Sequence, residues 1–396
     1  MQSAVIDSPA REPVDARARL PRLDPLLLLA VIGLVACSIY TIWTATEGDV
    51  EGSPYHYVIR QSIYAAVGFA LMLAAATFDY SRLRELKMGV YAGMIGSIGL
   101  VFLVATATRG SKRWIELPFF RFQPSELGKV LLIVALAGFV VDRSRRLEER
   151  DTTSRIMLLA LVPAMLVVAQ PDLGTGLVYV AIALALLFVA GTRWTHFAAL
   201  GGLGAVAVAL VLVAAPAVGV DVLKPYQVDR LTAFVDRGDD PQGQGYQLEQ
   251  SVTAIGSGRR TGRGADGATQ TKLDFLPEHH TDFIFSVVGE TFGFLGAAFV
   301  LGLYALLIWR ALHILTIAKN LYGALIAGGV VAMLIFQIFV NVGMTIGIMP
   351  ITGVTLPLMS FGGSSVIVTF LAIGLLQSIH AQAREIAEVK GRQLIA

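Results

Sequence analysis

Charge is what this chain has least of. Only 15% of its 396 residues are Asp, Glu, Lys or Arg, against 55% apolar, and the mean hydropathy is +0.67. The apolar residues fall in long blocks that neither alternate nor follow an amphipathic period, which excludes an ordinary soluble fold. The net charge of +2 is too small and too dispersed for a nucleic-acid partner. Cysteine is nearly absent. Cys37 stands alone inside an apolar run, so an intramolecular disulfide and dithiol redox chemistry are both excluded. The first 24 residues lack an early apolar stretch and carry Arg11, Arg17, Arg19 and Arg22, the pattern of a cytoplasmic tail and not of a cleaved signal. No GxxxxGK[ST] is present to cradle a nucleotide.

What the chain does have is apolar length. A hydrocarbon core of about 30 Å needs roughly 20 residues per helix, and ten such runs can be marked, near 25–45, 58–78, 88–107, 125–142, 155–170, 175–191, 196–218, 282–309, 321–345 and 354–379. The expectation is an all-α polytopic membrane protein of about ten transmembrane helices. A tail over 1–24 precedes a membrane domain over 25–380, and a second tail covers 381–396. With both termini cytoplasmic, the inner segments hold 18 of the 31 Lys and Arg, against six in the short outer segments. The long loop between the seventh and eighth spans, about 219–280, is then extracytoplasmic. Five of the six outer cations, Arg109, Lys112, Arg113, Arg121 and Lys129, crowd into one stretch against that preference. Either they touch lipid phosphates as a basic collar or they hold an anionic ligand.

The long loop re-enters the membrane at FLPEHHTDFIF. Asp282, at the start of the eighth span, reads equally as a helix cap favoured by the dipole and as a base placed to take a proton from a hydroxyl. His279 and His280 have poor spacing for a metal. The glycines of AIGSGRRTGRG suit turns in a segment that hugs the surface. Glu290 lies eight residues on, two turns deeper and within about 80° of the same helix face, where an unpaired carboxylate is costly. Glu126 and Lys129, at i and i+3, can form a buried pair that is either structural or in contact with substrate. Gln337 and Asn341 suit hydrogen bonds between helices. The segment GIMPITGVTLPLMSFGGSS breaks the approach to the last span, and non-helical backbone at membrane depth implies a cavity.

Four segments, RWIELPFFRFQPSELGK, AQPDLGTG, AIGSG with LDFLPEHHTDFIFSVVGE, and NVGMTIGIMPITGVTLPLMSFGGSS, together resemble the SEDS family of shape, elongation, division and sporulation proteins over about residues 24–380. The NVGMTIGIMPITG form is similar to the RodA branch more than to the FtsW branch. The resemblance implies a ten-span enzyme of the bacterial cytoplasmic membrane that polymerises lipid II into β-1,4 glycan strands during elongation, beside a class B penicillin-binding protein. It places the family's loop acid on Asp282, its outer tryptophan on Trp114, its polar cavity residues on Arg113, Glu126 and Lys129, and a recurrent carboxylate on Glu290. One departure is GETFG in place of GEELG, which leaves Thr291 where a second acid is common.

On this reading Asp282 is the general base of an inverting displacement, and Arg109, Lys112, Arg113 and Lys129 hold the departing pyrophosphate. A divalent cation such as Mg2+ would be carried largely by the substrate phosphates. Trp114 either stacks on sugar or anchors at the interface. Two rivals stay open: a transporter or flippase of the lipid-linked precursor, which also shows broken helices and buried charge, and a scaffold that recruits a transpeptidase.

Overall fold

The computed structural model of the chain describes residues 22–47, 53–104, 113–117, 120–217, 243–273 and 275–395. Its helices are α1 (Pro25–Thr46), α2 (His56–Thr77), α3 (Lys87–Val104), α4 (Pro124–Asp142), α5 (Arg150–Ala169), α6 (Leu173–Val189), α7 (Trp194–Ala209), the loop helix α8 (Gln244–Ser257), α9 (Ile284–Ile317), α10 (Leu321–Thr345) and α11 (Gly363–Ile395). Among the described residues nine helices are long and apolar enough to cross a membrane, and α6 is a tenth, shorter apolar one. A two-stranded antiparallel hairpin, β1 (Ile115–Leu117) and β2 (Phe120–Phe122), precedes α4 and pairs Glu116 with Arg121.

Local chemistry sets the helix ends. The Asp24 carboxylate accepts from Leu27 N at 3.0 Å with Pro25 in the first turn, Asp172 accepts from Thr175 N at 3.1 Å, and Asn320 accepts from Gly323 N at 2.8 Å. The centre of the bundle is α4, α10 and α11, whose most apolar stretches are 78%, 72% and 83% buried, whereas α7 is only 6% buried and faces outward almost all round.

Two helices differ from the hydropathy reading. The last helix starts at Gly363 and not at 354, because residues 350–362 turn through Pro350, Pro357 and two left-handed residues, Gly353 and Leu358. It also continues past 380, as Arg384, Glu385 and Glu388 are good helix formers that need no membrane. Finally, α9 runs for 34 residues and breaks at Gly293, whose φ of 65° and ψ of −161° only glycine adopts readily. The loop fills that break. Phe294 N and Leu295 N donate to the carbonyls of Arg259 and Arg260 at 2.9 and 3.1 Å, while Arg263 N donates to the Glu290 carbonyl at 2.9 Å. The glycine-rich segment therefore hugs a helix, as its composition suggests.

A Cβ on Gly293 would also meet Gly262 N at 2.3 Å. Gly293→Ala is expected to destabilise the fold by about 1–3 kcal/mol, read as a lower unfolding midpoint in detergent. Gly202→Ala on α7, with nothing within 4 Å of its Cβ position, is the control and leaves the midpoint unchanged or raised. Equal behaviour of the two variants would contradict the account of the break.

Candidate active site

Several elements meet around one cavity of about 930 Å³. Its walls come from the N-terminal ends of α2, α4 and α6, the hairpin, the turn before α9, and residues 353–365, with Gln337 of α10 beside them. Asp282 lies in that turn, half-buried, one residue ahead of Phe283, the helix N-cap, which makes no side-chain cap bond. The turn closes tightly on Glu278, whose φ is 53° and whose carbonyl accepts from Thr281 N and Asp282 N at 3.1 Å. Such backbone strain tends to gather at functional sites.

The broken segment holds this turn in place. Asn341 of α10 donates from Nδ2 to Asp282 O at 2.9 Å and to Val354 O at 2.8 Å, and so ties α10 to the turn and to the broken segment where a bond to another helix was expected. Ser360 Oγ donates to Thr281 O at 2.6 Å, and Phe361 N donates to His280 O at 2.9 Å. Gly353, at φ 72°, passes close to the Asp282 carboxylate: a Cβ there would lie 3.5 Å from Oδ2. The sequence motif of prolines and glycines thus serves to lay backbone beside the acid.

Facing into the same cavity is a buried charge cluster. Lys129 Nζ lies 2.6 Å from Glu126 Oε2, with both side chains almost wholly buried. Asp172 is buried at the start of α6, where its Oδ1 accepts from Thr175 N and its Oδ2 from Gln123 Nε2, each at 3.1 Å. Arg113 donates from Nε to Gln170 O at 3.1 Å and from Nη2 to Pro171 O, which docks the hairpin against the α5–α6 connection. Trp114, Arg121 and Gln337 also line the cavity.

Asp282, Arg113, Trp114, Glu126 and Lys129 are therefore brought together as the sequence suggests. Arg109 and Lys112 lie outside the described residues. Glu290 stands apart. It is fully buried, and its carboxylate accepts from Gln270 N at 2.9 Å, Thr271 N at 3.1 Å and Thr271 Oγ1 at 2.7 Å. Three donors bind it to the loop, so it braces the loop on α9 and does not line the cavity. Among the described residues no group of three or more His, Cys, Asp or Glu converges as a metal cage, and Glu126 and Asp172 are already occupied by protein donors. His279 is buried with Nδ1 3.1 Å from Leu276 O.

Sequence reasoning passes over Asp172, which caps α6 and lines the cavity, and over Arg60, which lines it from α2. The signal for Asp172 was its place in AQPDLGTG. Residues 22–385 match the cell cycle protein family of FtsW, RodA and SpoVE.

This chain belongs to the SEDS family.

Its similarity to other members spans nearly the full length. It is 38% identical to the probable peptidoglycan glycosyltransferase FtsW of Thioalkalivibrio sulfidiphilus over 92% of this chain and 91% of that one. It is 36% identical to the peptidoglycan glycosyltransferase MrdB of Escherichia coli K12 over 92% and 95%. A solved chain from work on the structural coordination of polymerization and crosslinking by a peptidoglycan synthase complex superposes with a TM-score of 0.77 at 32% identity, covering 91% of this chain and 98% of that chain. As a SEDS protein with such relatives, the chain is an integral membrane glycosyltransferase.

The ion pair in this SEDS cavity yields a stability test. Lys129→Met strands the buried Glu126 carboxylate and is expected to cost about 3–5 kcal/mol, whereas the double variant with Glu126→Gln recovers most of the loss. Thermal unfolding in detergent measures both. A single variant as stable as the double would remove the pair from the account.

Proposed function

We propose that this chain is a peptidoglycan polymerase that joins lipid II units into β-1,4 glycan strands at the outer face of the bacterial cytoplasmic membrane, with both termini inside. What carries the reading is one cavity that holds an acid on a braced turn together with the buried Lys129 and the half-buried Arg113, in a chain of apolar helices whose relatives are named for this chemistry.

In the proposed step, the Asp282 carboxylate takes the proton from the 4-hydroxyl of the acceptor N-acetylglucosamine. The freed oxygen attacks the donor's anomeric carbon on the face opposite the α-linked pyrophosphate, the bond from that carbon to the phosphate oxygen breaks, and the pyrophosphate lipid leaves with the electron pair. Inversion gives the β link. Arg113 and Lys129 stabilise the negative charge that grows on the leaving oxygens, and Arg109 and Lys112 belong to the same proposal by sequence position. That demand for cations explains why they collect on the side where the positive-inside preference disfavours them. A divalent ion such as Mg2+, carried on the phosphates, would add to this charge neutralisation. Trp114 lines the cavity and is the proposed contact for sugar or lipid entry. Elongation is the proposed setting, on the strength of NVGMTIGIMPITG, and the proposed partner is a class B penicillin-binding protein that crosslinks the strands.

Asp282→Asn is expected to lower polymer formation from lipid II by roughly 10²–10⁴-fold, the usual worth of general base catalysis, while the purified variant keeps the wild-type unfolding midpoint. Gel analysis of the strands is the readout. Polymerisation at the wild-type rate would remove Asp282 from the role of base. Arg113→Glu is expected to cut turnover as strongly, and unchanged turnover would return the cations to lipid contact. In reconstituted vesicles, lipid flipping without polymer would favour the transporter reading instead.

A further inference from the structure

Five of the aromatic rings that line the cavity form a connected set, and the chemistry proposed above uses none of the five. Tyr57 and Tyr64 come from α2, Phe120 from β2, His280 from the turn before α9, and Phe361 from the turn before α11. They form one continuous set. Ring centroids lie 6.0 Å apart for Tyr64 and Phe120, 6.2 Å for Tyr64 and Phe361, 5.1 Å for Tyr57 and Phe361, and 4.7 Å for Tyr57 and His280.

These rings are not core. All five are half-buried, whereas the large fully buried aromatics, Tyr80, Tyr179, Tyr304, Phe283 and Phe370, do not line the cavity. Nor does a membrane protein gain by gathering rings in a polar cavity, because lipid would cover them as well as protein does. Apolar surface kept in a polar, ligand-sized space is surface meant to be covered by a ligand. The wall is also preorganised: Tyr57 and Phe361 meet edge to face at 87°, and Phe361 N donates to His280 O at 2.9 Å.

We propose that this wall is a platform for the acceptor sugar, on which uncharged N-acetylated pyranose rings stack by their C–H faces. A sugar ring offers weakly positive C–H groups and an aromatic face is negative, so stacking adds to simple burial. The placement fits. The wall ends on His280, two residues before Asp282, which takes the acceptor's proton in the proposed reaction, while the buried charges come from α4 and α6. The proposal therefore assigns the acceptor to the aromatic wall and the leaving pyrophosphate to Lys129 and Arg113, which belong to α4 and to the segment before β1. This inference rests on the polymerase reading for its orientation, and its test does not require turnover.

The full chain in detergent is titrated with the β-1,4-linked N-acetylglucosamine tetramer, which has neither lipid nor phosphate, and binding is followed by saturation-transfer NMR. Wild type is expected to bind. Tyr64→Leu and Phe361→Leu, which keep apolar bulk and lose the ring, are expected to weaken binding by roughly 3–10-fold each, and Tyr64→Phe, which keeps the ring, to bind within about twofold of wild type. The same Leu variants should raise KM for lipid II more than they lower kcat. Failure of wild type to bind the tetramer, or Leu variants that bind it like wild type, would overturn the platform even if the chain polymerises lipid II. Binding with the expected variant pattern but no polymer from wild type would leave the platform standing and overturn the polymerase reading.

Discussion

The structure depends on one constraint of the membrane. A chain that leaves the helix among apolar neighbours must find partners for its backbone groups within the protein. Residues 346–362 do this, and each partner they recruit is a tether. Ser38 of α1 donates to Met359 O at 2.7 Å, Gln61 of α2 to Ser360 O at 3.3 Å, and Asn341 of α10 to Val354 O at 2.8 Å. The Tyr304 hydroxyl of α9 donates to Pro357 O at 2.5 Å. Four helices are tied to one broken segment, and through Asn341 and Ser360 so is the turn that bears Asp282. Satisfying the backbone and positioning the acid are the same set of bonds.

Charge is placed with equal economy. At the other end of the bundle the fully buried Asp24 carboxylate receives Arg310 Nε at 3.0 and 3.2 Å, and Gln377 Oε1 accepts from Asp24 N at 2.7 Å, which joins α1, α9 and α11. That end is closed by pairing. At the cavity end the pair of Glu126 and Lys129 is equally close, yet it borders open space. Pairing at the closed end ties three helices together, while in the proposed reaction the same kind of pair beside the cavity presents charge to the substrate. In a low dielectric such groups act strongly on any charge that develops nearby.

Much of this was legible in the sequence, for reasons that differ by element. Ten apolar helices were visible because twenty-residue apolar runs are a strong signal. The start of α11 was not, since the run of apolar residues continues through Pro357 and Leu358 where the helix does not. The hairpin was invisible because three-residue strands leave no period to read. Asp282 could be singled out by its place at the end of a loop, but Glu290 could not be placed, because its partners lie 19 and 20 residues upstream and only folding brings them to it. Asp172 was hidden by having two roles, as cap of α6 and as wall of the cavity.

The central claim is that Asp282 and the cations act on opposite ends of one glycosyl transfer. It is tested most directly by an experimental structure of the full chain with a lipid-linked sugar pyrophosphate and an acceptor disaccharide bound. The account predicts the acceptor 4-hydroxyl within about 2.6–3.2 Å of the Asp282 carboxylate and the pyrophosphate on the side of Arg113 and Lys129. A pyrophosphate seated away from both cations, or an acceptor hydroxyl out of reach of Asp282, would contradict it.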